Sequence, residues 1–442
     1  MESLVKEVAE LKRILTTDKI IHIAIKMLAC INREIIYHSI RTTYISIKIA
    51  KKCTINNRCS KKNLLLLALF HTLGFFREDL YFNYNPYGHN PDFFSTDKDT
   101  TSKYVFAGYY LKYMTPIGED AESIEHFTEP FNQKLKEEHY QSTYKGVIYL
   151  AARISEYVYK NPNTPMPKNI DDIAPGFLDP EYVEIFKDIN KDDAVLKEIW
   201  NGTYEDTLSS FIYEQSFTEE ENLKFQYLLI YLLDFKSTYT MTHSINTSCY
   251  AMSLGKRMQL NARQMSDLLT SAILHDVGKM ATPARILEFP GKLSPEDMGI
   301  MRHHVNHSKR ILNGNVPQDI LENVYRHHEK LNGNGYPQHL NAEQLNLIQR
   351  ILTVADIISA LNDRRSYKDE FSKDKTISII TSMAENGELD PSIVKYVQTN
   401  MDQLLEELSQ LQALLQVDFS LVLSKYNDYI YNDDDVEDLK SI

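Results

Sequence analysis

Leu274-His275-Asp276-Val277-Gly278-Lys279 is the stretch on which the reading of this 442-residue chain turns. Phe70-His71-Thr72-Leu73-Gly74 repeats its pattern 204 residues upstream. Two more landmarks recur at almost the same spacing. Tyr37-His38-Ser39-Ile40 precedes Thr242-His243-Ser244-Ile245 by 205 residues, and Ile148 to Ile154 precedes Ile351 to Ile357 by 203, with Arg153 standing where Asp356 stands later. Three landmarks at nearly one offset point to a duplicated domain. Helical periodicity dominates and no sustained period-two alternation appears, so the expected fold is all-α, with two tandem helical domains.

Helix ends are legible at several points. Ser294-Pro295-Glu296-Asp297 offers a hydroxyl cap, a proline at the first helical position and acids in the first turn. Asn261 with Gln264, Asn341 with Gln344, and Asp390-Pro391 read as further starts. Asn332-Gly333 and Asn386-Gly387 read as stops. The expected organisation is a first domain over residues 1–160, a connection over 161–215, a second domain over 216–400, and a C-terminal helix and tail over 401–442. Pro162, Pro165, Pro167, Pro175 and Pro180 mark the connection. Leu404, Leu405, Leu408, Leu411, Leu414 and Leu415 give the last helix an apolar face for packing on its own domain or for a homodimer. Asn432 to Asp438 reads as a disordered acidic tail.

An apolar content of 43% and a charged content of 25% are those of a globular protein. The net charge of −13 argues against a nucleic-acid polymer or an anionic membrane as main partner. The apolar run Leu64 to Phe70 falls far short of the roughly 20 residues of a spanning helix. Glu2, Lys6, Glu7 and Glu10 do not make a signal peptide, so cytoplasmic residence is expected. Cys30, Cys53, Cys59 and Cys249 show neither paired zinc spacing nor a disulfide framework.

The second half carries His243, His275-Asp276, His304, His327-His328 and Asp356 in order. Adjacent residues on a helix point about 100° apart, so a doublet can address two neighbouring ions from one turn. Asp276 is placed to bridge, with His275 closing one side and His243 and Asp356 completing the first ion. His304, His327 and His328 serve the second. In the pair His303-His304, the spacing to Ser308 and Leu312 turns His304 inward. Imidazole and carboxylate without thiolate suit iron, manganese or zinc. Two ions about 3.5–4 Å apart lower the pKa of a bridging water and hold the oxygens of a phosphoryl displacement, which points to phosphoester hydrolysis. Lys279, one turn past Asp276, can meet a phosphate oxygen as a point charge. Asp276 and Lys279 are therefore the expected catalytic pair. Gly333 and Gly335 permit a tight loop that presents the ring or hydroxyl of Tyr336, while Arg365 offers a planar fork and Lys368 a second charge for a phosphate.

From about residue 235 to 395 the chain resembles the HD-GYP domain, a branch of the HD metal-dependent phosphohydrolases. The pieces that carry the resemblance are Thr242-His243-Ser244, His275-Asp276-Val277-Gly278-Lys279, Pro290-Gly291, Met301 to Leu312, His327-His328-Glu329, Gly333-Asn334-Gly335-Tyr336-Pro337 and Arg350 to Tyr367. The resemblance implies metal ligands at His243, His275, Asp276, His304, His327, His328 and Asp356, and substrate contacts from Lys279, Tyr336, Arg365 and Lys368. It implies two divalent ions, iron first and manganese second, and hydrolysis of a cyclic dinucleotide, either cyclic di-GMP or 3′,3′-cyclic GMP-AMP, by a metal-bridging hydroxide. A catalytically weak binding module and another nucleotide-directed HD phosphohydrolase are the alternative readings. The chain departs from the family at three places. Tyr239 stands where members with a third metal carry a carboxylate, Ser308 where a glycine is usual, and Ser359 where an acid is common. In the first half Thr72, Tyr104 and Arg153 are read opposite Asp276, His304 and Asp356, so that half is expected to be a degenerate HD domain kept for regulation, dimer contacts or shaping the substrate mouth.

Overall fold

The computed structural model describes residues 15–53, 59–77, 92–363 and 371–432, with the side chains of a few helix residues, 411–420 among them, left aside. Arg365, Lys368 and the acidic run after Asn432 lie outside the described residues, as do the side chains of Leu411, Leu414 and Leu415. Among the described residues the chain is all-α, with an isolated bridge between Asn332 and Asn341 in place of any strand. The helices of seven residues or more are α1 (Thr17–Ile31), α2 (Arg33–Ala50), α3 (Lys61–Phe70), α4 (Lys98–Met114), α5 (Gln141–Lys160), α6 (Pro180–Ile189), α7 (Ala194–Trp200), α8 (Tyr204–Glu214), α9 (Glu219–Leu232), α10 (Thr238–Arg257), α11 (Ala262–Leu274), α12 (Pro295–Arg302), α13 (His304–Leu312), α14 (Gln318–Tyr325), α15 (Leu347–Asn362), α16 (Lys373–Glu385) and α17 (Pro391–Asn432). None of the described helices is long and apolar enough to cross a membrane.

The described residues fall into two units. One takes those within Met1–Ile31 and Asn222–Val417, and the other those within Asn32–Glu221 and Asp418–Ile442. The first cut is at residue 31, not near 160. Helix α1 buries Ile20, Ile23, Ala24, Met27 and Leu28 along one stripe, and it packs on the turn Val277–Ala281 and on α13. Each such side chain contributes about 1.5–3 kcal/mol on leaving water. The stripe is readable in sequence, but periodicity does not say which domain a stripe will cover.

The proline-marked segment after Asn161 is no open linker. Asp179 caps α6 by accepting from the Glu181 amide at 3.0 Å, with Pro180 at the first helical position. Lys48 of α2 pairs with Glu198 of α7 at 2.8 Å, so 161–215 groups with the N-terminal unit.

In the other unit, caps hold the helices that matter for chemistry. Asn261 and Gln264 form a capping box on α11, Ser294 caps α12, and Asn346 with Gln349 starts α15. Asn341 and Gln344 form the same box on a short 3₁₀ turn, so α15 begins five residues later than that signal. Asn386 ends α16 with Gly387 at φ 70°. Gly333, at φ 78°, belongs to a turn outside any helix. Leu404 and Leu408 are buried, and Glu407 of the same helix accepts from Ser253.

Candidate metal centre

His243 sits within α10, facing α15, which carries Asp356 two turns from its C-terminus. His275 immediately follows α11, His304 opens α13 directly after α12 ends, and His327 lies just past α14. These three donate from Nδ1 to the main-chain carbonyls of Ala272, Met301 and Val324, at 2.7, 2.8 and 2.7 Å. A carbonyl accepts only from N–H, so each ring carries its proton on Nδ1 and turns the lone pair of Nε2 inward. Those lone pairs converge: Nε2 of His304 and His327 are 3.3 Å apart, and Nε2 of His275 lies 3.4 Å from the His243 Nε2 that meets Asp356.

Asp276 spans the two imidazole groups. Its Oδ2 lies 3.1 Å from His275 Nε2 and 3.6 Å from His243 Nε2, while Oδ1 lies 3.5 Å from His304 Nε2 and 4.0 Å from His327 Nε2. Oδ1 is buried without a hydrogen-bond partner. Asp356 Oδ1 is 2.9 Å from His243 Nε2, and its Oδ2 is 3.4 Å from His328 Nδ1. The seven side chains expected to meet do meet, with His304 buried and His303 exposed. Two sets each bring their donor atoms within 4.8 Å of one another: His243, His275 and Asp276, and His304, His327 and His328. Facing lone pairs beside an unpartnered carboxylate oxygen call for cations, and nitrogen and oxygen donors without thiolate fit a pair of divalent transition ions.

The electrostatics agree with that donor set. Burial, with smaller effects from neighbouring charges, takes His304 down to about 4 and His327 to about 3, so both are neutral bases at ordinary pH. Burial also opposes charge on Asp276 and Asp356. It is outweighed at Asp276 by His275 and Lys279 and at Asp356 by His243 and His328, so both carboxyls stay ionised. His243 is an exception among the histidines. Burial disfavours its cation, but hydrogen bonds to Asp356 and Asp363 lift it to about 9.

Lys279 Nζ lies 2.5 Å from Asp276 Oδ2. Tyr336 packs its ring 4.7 Å from that of His328, with the Arg302 guanidinium 5.2 Å above it. Burial, then the charges of Asp356 and Asp276, push its phenol upward, so it remains a hydrogen-bond donor. Two carboxylates missed in sequence support this constellation. Glu329 is buried and accepts from the amides of Gln338 and Leu340 at 2.6 and 2.9 Å, wrapping the Gly335-Tyr336-Pro337 loop around itself. Asp363 lies 3.0 Å from His243 Nδ1. Its position seven residues after Asp356, on the same face of a helix, was the available signal.

Some of these contacts recur in the N-terminal unit. Ser155 Oγ meets His38 Nδ1 at 3.1 Å, as Ser359 Oγ meets His243 Nδ1 at 2.9 Å. His71 Nδ1 donates to Ala68 at 2.7 Å, as His275 does to Ala272. A Cβ on Gly74 would lie 2.1 Å from the Lys103 carbonyl oxygen, where one on Gly278 would lie 2.0 Å from that of His304. The Gly74 contact falls on Lys103, one residue before Tyr104. Phe93 stacks on His38 at 4.4 Å, and Arg153 pairs with Glu156 at 3.1 Å over the ring of Phe94.

Residues 228–393, the stretch that holds the seven converging side chains, match the model of the HD domain family. Among curated proteins it is 30% identical over 196 residues to a 3′3′-cGAMP-specific phosphodiesterase of Vibrio cholerae, covering 44% of this chain and 46% of that one. It is 32% identical over 160 residues to a cyclic di-GMP phosphodiesterase of Pseudomonas aeruginosa, covering 36% and 38%. The match thus spans less than half the length of either relative. A crystal structure of a cyclic GMP-AMP-specific phosphodiesterase of V. cholerae superposes with a TM-score of 0.54 at 17% identity, over 88% of this chain and 98% of that one, a likeness of fold.

Proposed function

We propose that this chain is a metal-dependent phosphodiesterase that opens a cyclic dinucleotide, cyclic di-GMP or 3′,3′-cyclic GMP-AMP, at a 3′,5′ phosphodiester. The observation that carries the proposal is the convergence of imidazole lone pairs on both oxygens of Asp276. His243, His275, Asp276 and Asp356 would hold one ion, and His304, His327 and His328 with Asp276 the other, iron or manganese by donor type. Two such ions lower the pKa of a shared water and draw charge from the phosphoryl oxygens. Lys279, beside Asp276, presents a cation to the phosphate and keeps the carboxylate ionised. Tyr336 offers its ring to a base and its hydroxyl to an oxygen, with Arg302 behind the ring. Arg365 and Lys368 are assigned to the substrate phosphates by the motif resemblance. Curated relatives named for both cyclic dinucleotides support the substrate class.

The N-terminal unit is, in this reading, a degenerate copy of the HD domain. Support comes from the repeated serine, histidine and glycine contacts, and from Thr72 and Arg153 at the places of ligands.

The test is anaerobic loading with iron or manganese, incubation with each cyclic dinucleotide and chromatography of products. Linear dinucleotide or mononucleotides are expected from at least one. Protein holding two metals per chain that leaves both substrates intact would overturn the proposal.

A further inference from the structure

His243 is oriented by different means from its neighbours in the cluster. His275, His304 and His327 stand at helix ends, where carbonyls are free to accept from Nδ1. His243 lies inside α10, where the carbonyls are taken by the helix itself. Its Nδ1 turns instead to α15, meeting Ser359 Oγ at 2.9 Å and Asp363 Oδ2 at 3.0 Å. Ser359 Oγ also lies 2.9 Å from that carboxylate oxygen, and Asn246 Nδ2 donates to the other one. Asp363 is half-buried, with 9% of its side chain exposed.

We propose that Asp363 is the positioning residue of His243: its carboxylate accepts the Nδ1 proton, fixes the ring against α15 and presents the Nε2 lone pair to the ion shared with His275, Asp276 and Asp356. The inference rests on the metal-centre reading above. A carboxylate on the far nitrogen of a ligating imidazole fixes its tautomer and raises its basicity. The N-terminal unit supplies an internal comparison. Ser155 keeps the contacts to Nδ1 and to the carbonyl of His38, at 3.1 and 3.2 Å, but the residue four further on is Tyr159 and no acid is there. The carboxylate accompanies the unit with the full donor set.

The experiment is titration of metal-free full-length protein with Mn²⁺, followed by electron paramagnetic resonance and calorimetry, beside thermal melting. Asp363→Ala and Asp363→Asn should weaken one bound ion about 10- to 100-fold, with the isosteric Asn variant keeping the parental fold. Asn246→Ala, which removes a second partner of the same carboxylate, should titrate as the parent does. Ser359→Asp added to Asp363→Ala should restore tight binding, because Ser359 Oγ already reaches Nδ1. Parental affinity in folded Asp363→Ala and Asp363→Asn would overturn the proposal, as would an equal loss in Asn246→Ala, which marks a packing contact alone. If the parent itself takes up no Mn²⁺ or iron, the metal-centre reading fails first.

Discussion

Gly278 abuts the main chain of His304 so closely that a Cβ on it would lie 2.0 Å from the His304 carbonyl oxygen and 2.4 Å from the Ser308 amide nitrogen. Ser308 completes the joint, accepting from the Gly278 amide at 2.8 Å and lying 3.1 Å from the His275 carbonyl. One contact therefore sets the turn after Asp276 against the helix that opens with His304.

Gly278→Ala has no flexible neighbour to displace, since the nearest atoms are main chain. Overpacking of this kind costs about 1–3 kcal/mol. The expected outcome is a lower melting temperature and less bound metal per chain. Gly74→Ala meets the Lys103 carbonyl in the same way, and should cost similar stability while metal content stays parental. Metal analysis of the folded fractions separates the two.

Asp276→Asn keeps the shape of the side chain and removes the charge facing both imidazole groups. Metal content should fall from about two per chain toward zero and turnover with it, by at least about 100-fold, since bridging is lost for both ions. Elemental analysis under reducing, anaerobic conditions checks it. A content near three in the parent, with an ion beside Tyr239, would contradict the two-ion reading instead.

Glu329 holds the loop that carries Tyr336 through the amides of Gln338 and Leu340. Glu329→Ala leaves the amides of Gln338 and Leu340 unpaired, at a cost of about 1–3 kcal/mol for each if they remain buried. KM for the cyclic dinucleotide should rise more than kcat falls, with bound metal near parental. Steady-state kinetics with metal analysis would show the split, and loss of metal would place Glu329 in the centre itself.

Much of this was readable from residues. The convergence of seven side chains was legible because histidine and aspartate in a fixed order have few other uses, and helix spacing turned His304 inward rather than His303. The unit containing α1 could not be read, since an apolar stripe such as Ile20 to Leu28 states that a helix is covered and not by what. The main-chain contact of Gly74 falls on Lys103, one residue before the Tyr104 read opposite His304, and no side chain announces such a contact. Asp363 and Glu329 were passed over for a related reason. An acid at a helix end or beside a histidine pair looks like surface until burial is known.

His71 gives the N-terminal unit a pH dependence of known sign. Burial takes it from the ordinary 6.5 down to about 4, and it pushes His38 the same way, with His71 and Arg41 adding to the effect at His38. As pH falls through 6.5 the unfolded chain binds the proton and the folded one does not until near 4. The stabilising effect of the neutral ring is thus complete above about 6.5 and is lost across that window. Between pH 7 and pH 5 the parent should lose about 2 kcal/mol through His71 alone. His71→Asn, whose amide can still donate to the Ala68 carbonyl, should lose correspondingly less between the same two pH values, with metal content and turnover parental. Urea unfolding of parent and variant at both pH values measures the difference. Equal losses would mean that His71 is already protonated when folded, and a loss of metal in the variant would put a metal centre in this unit.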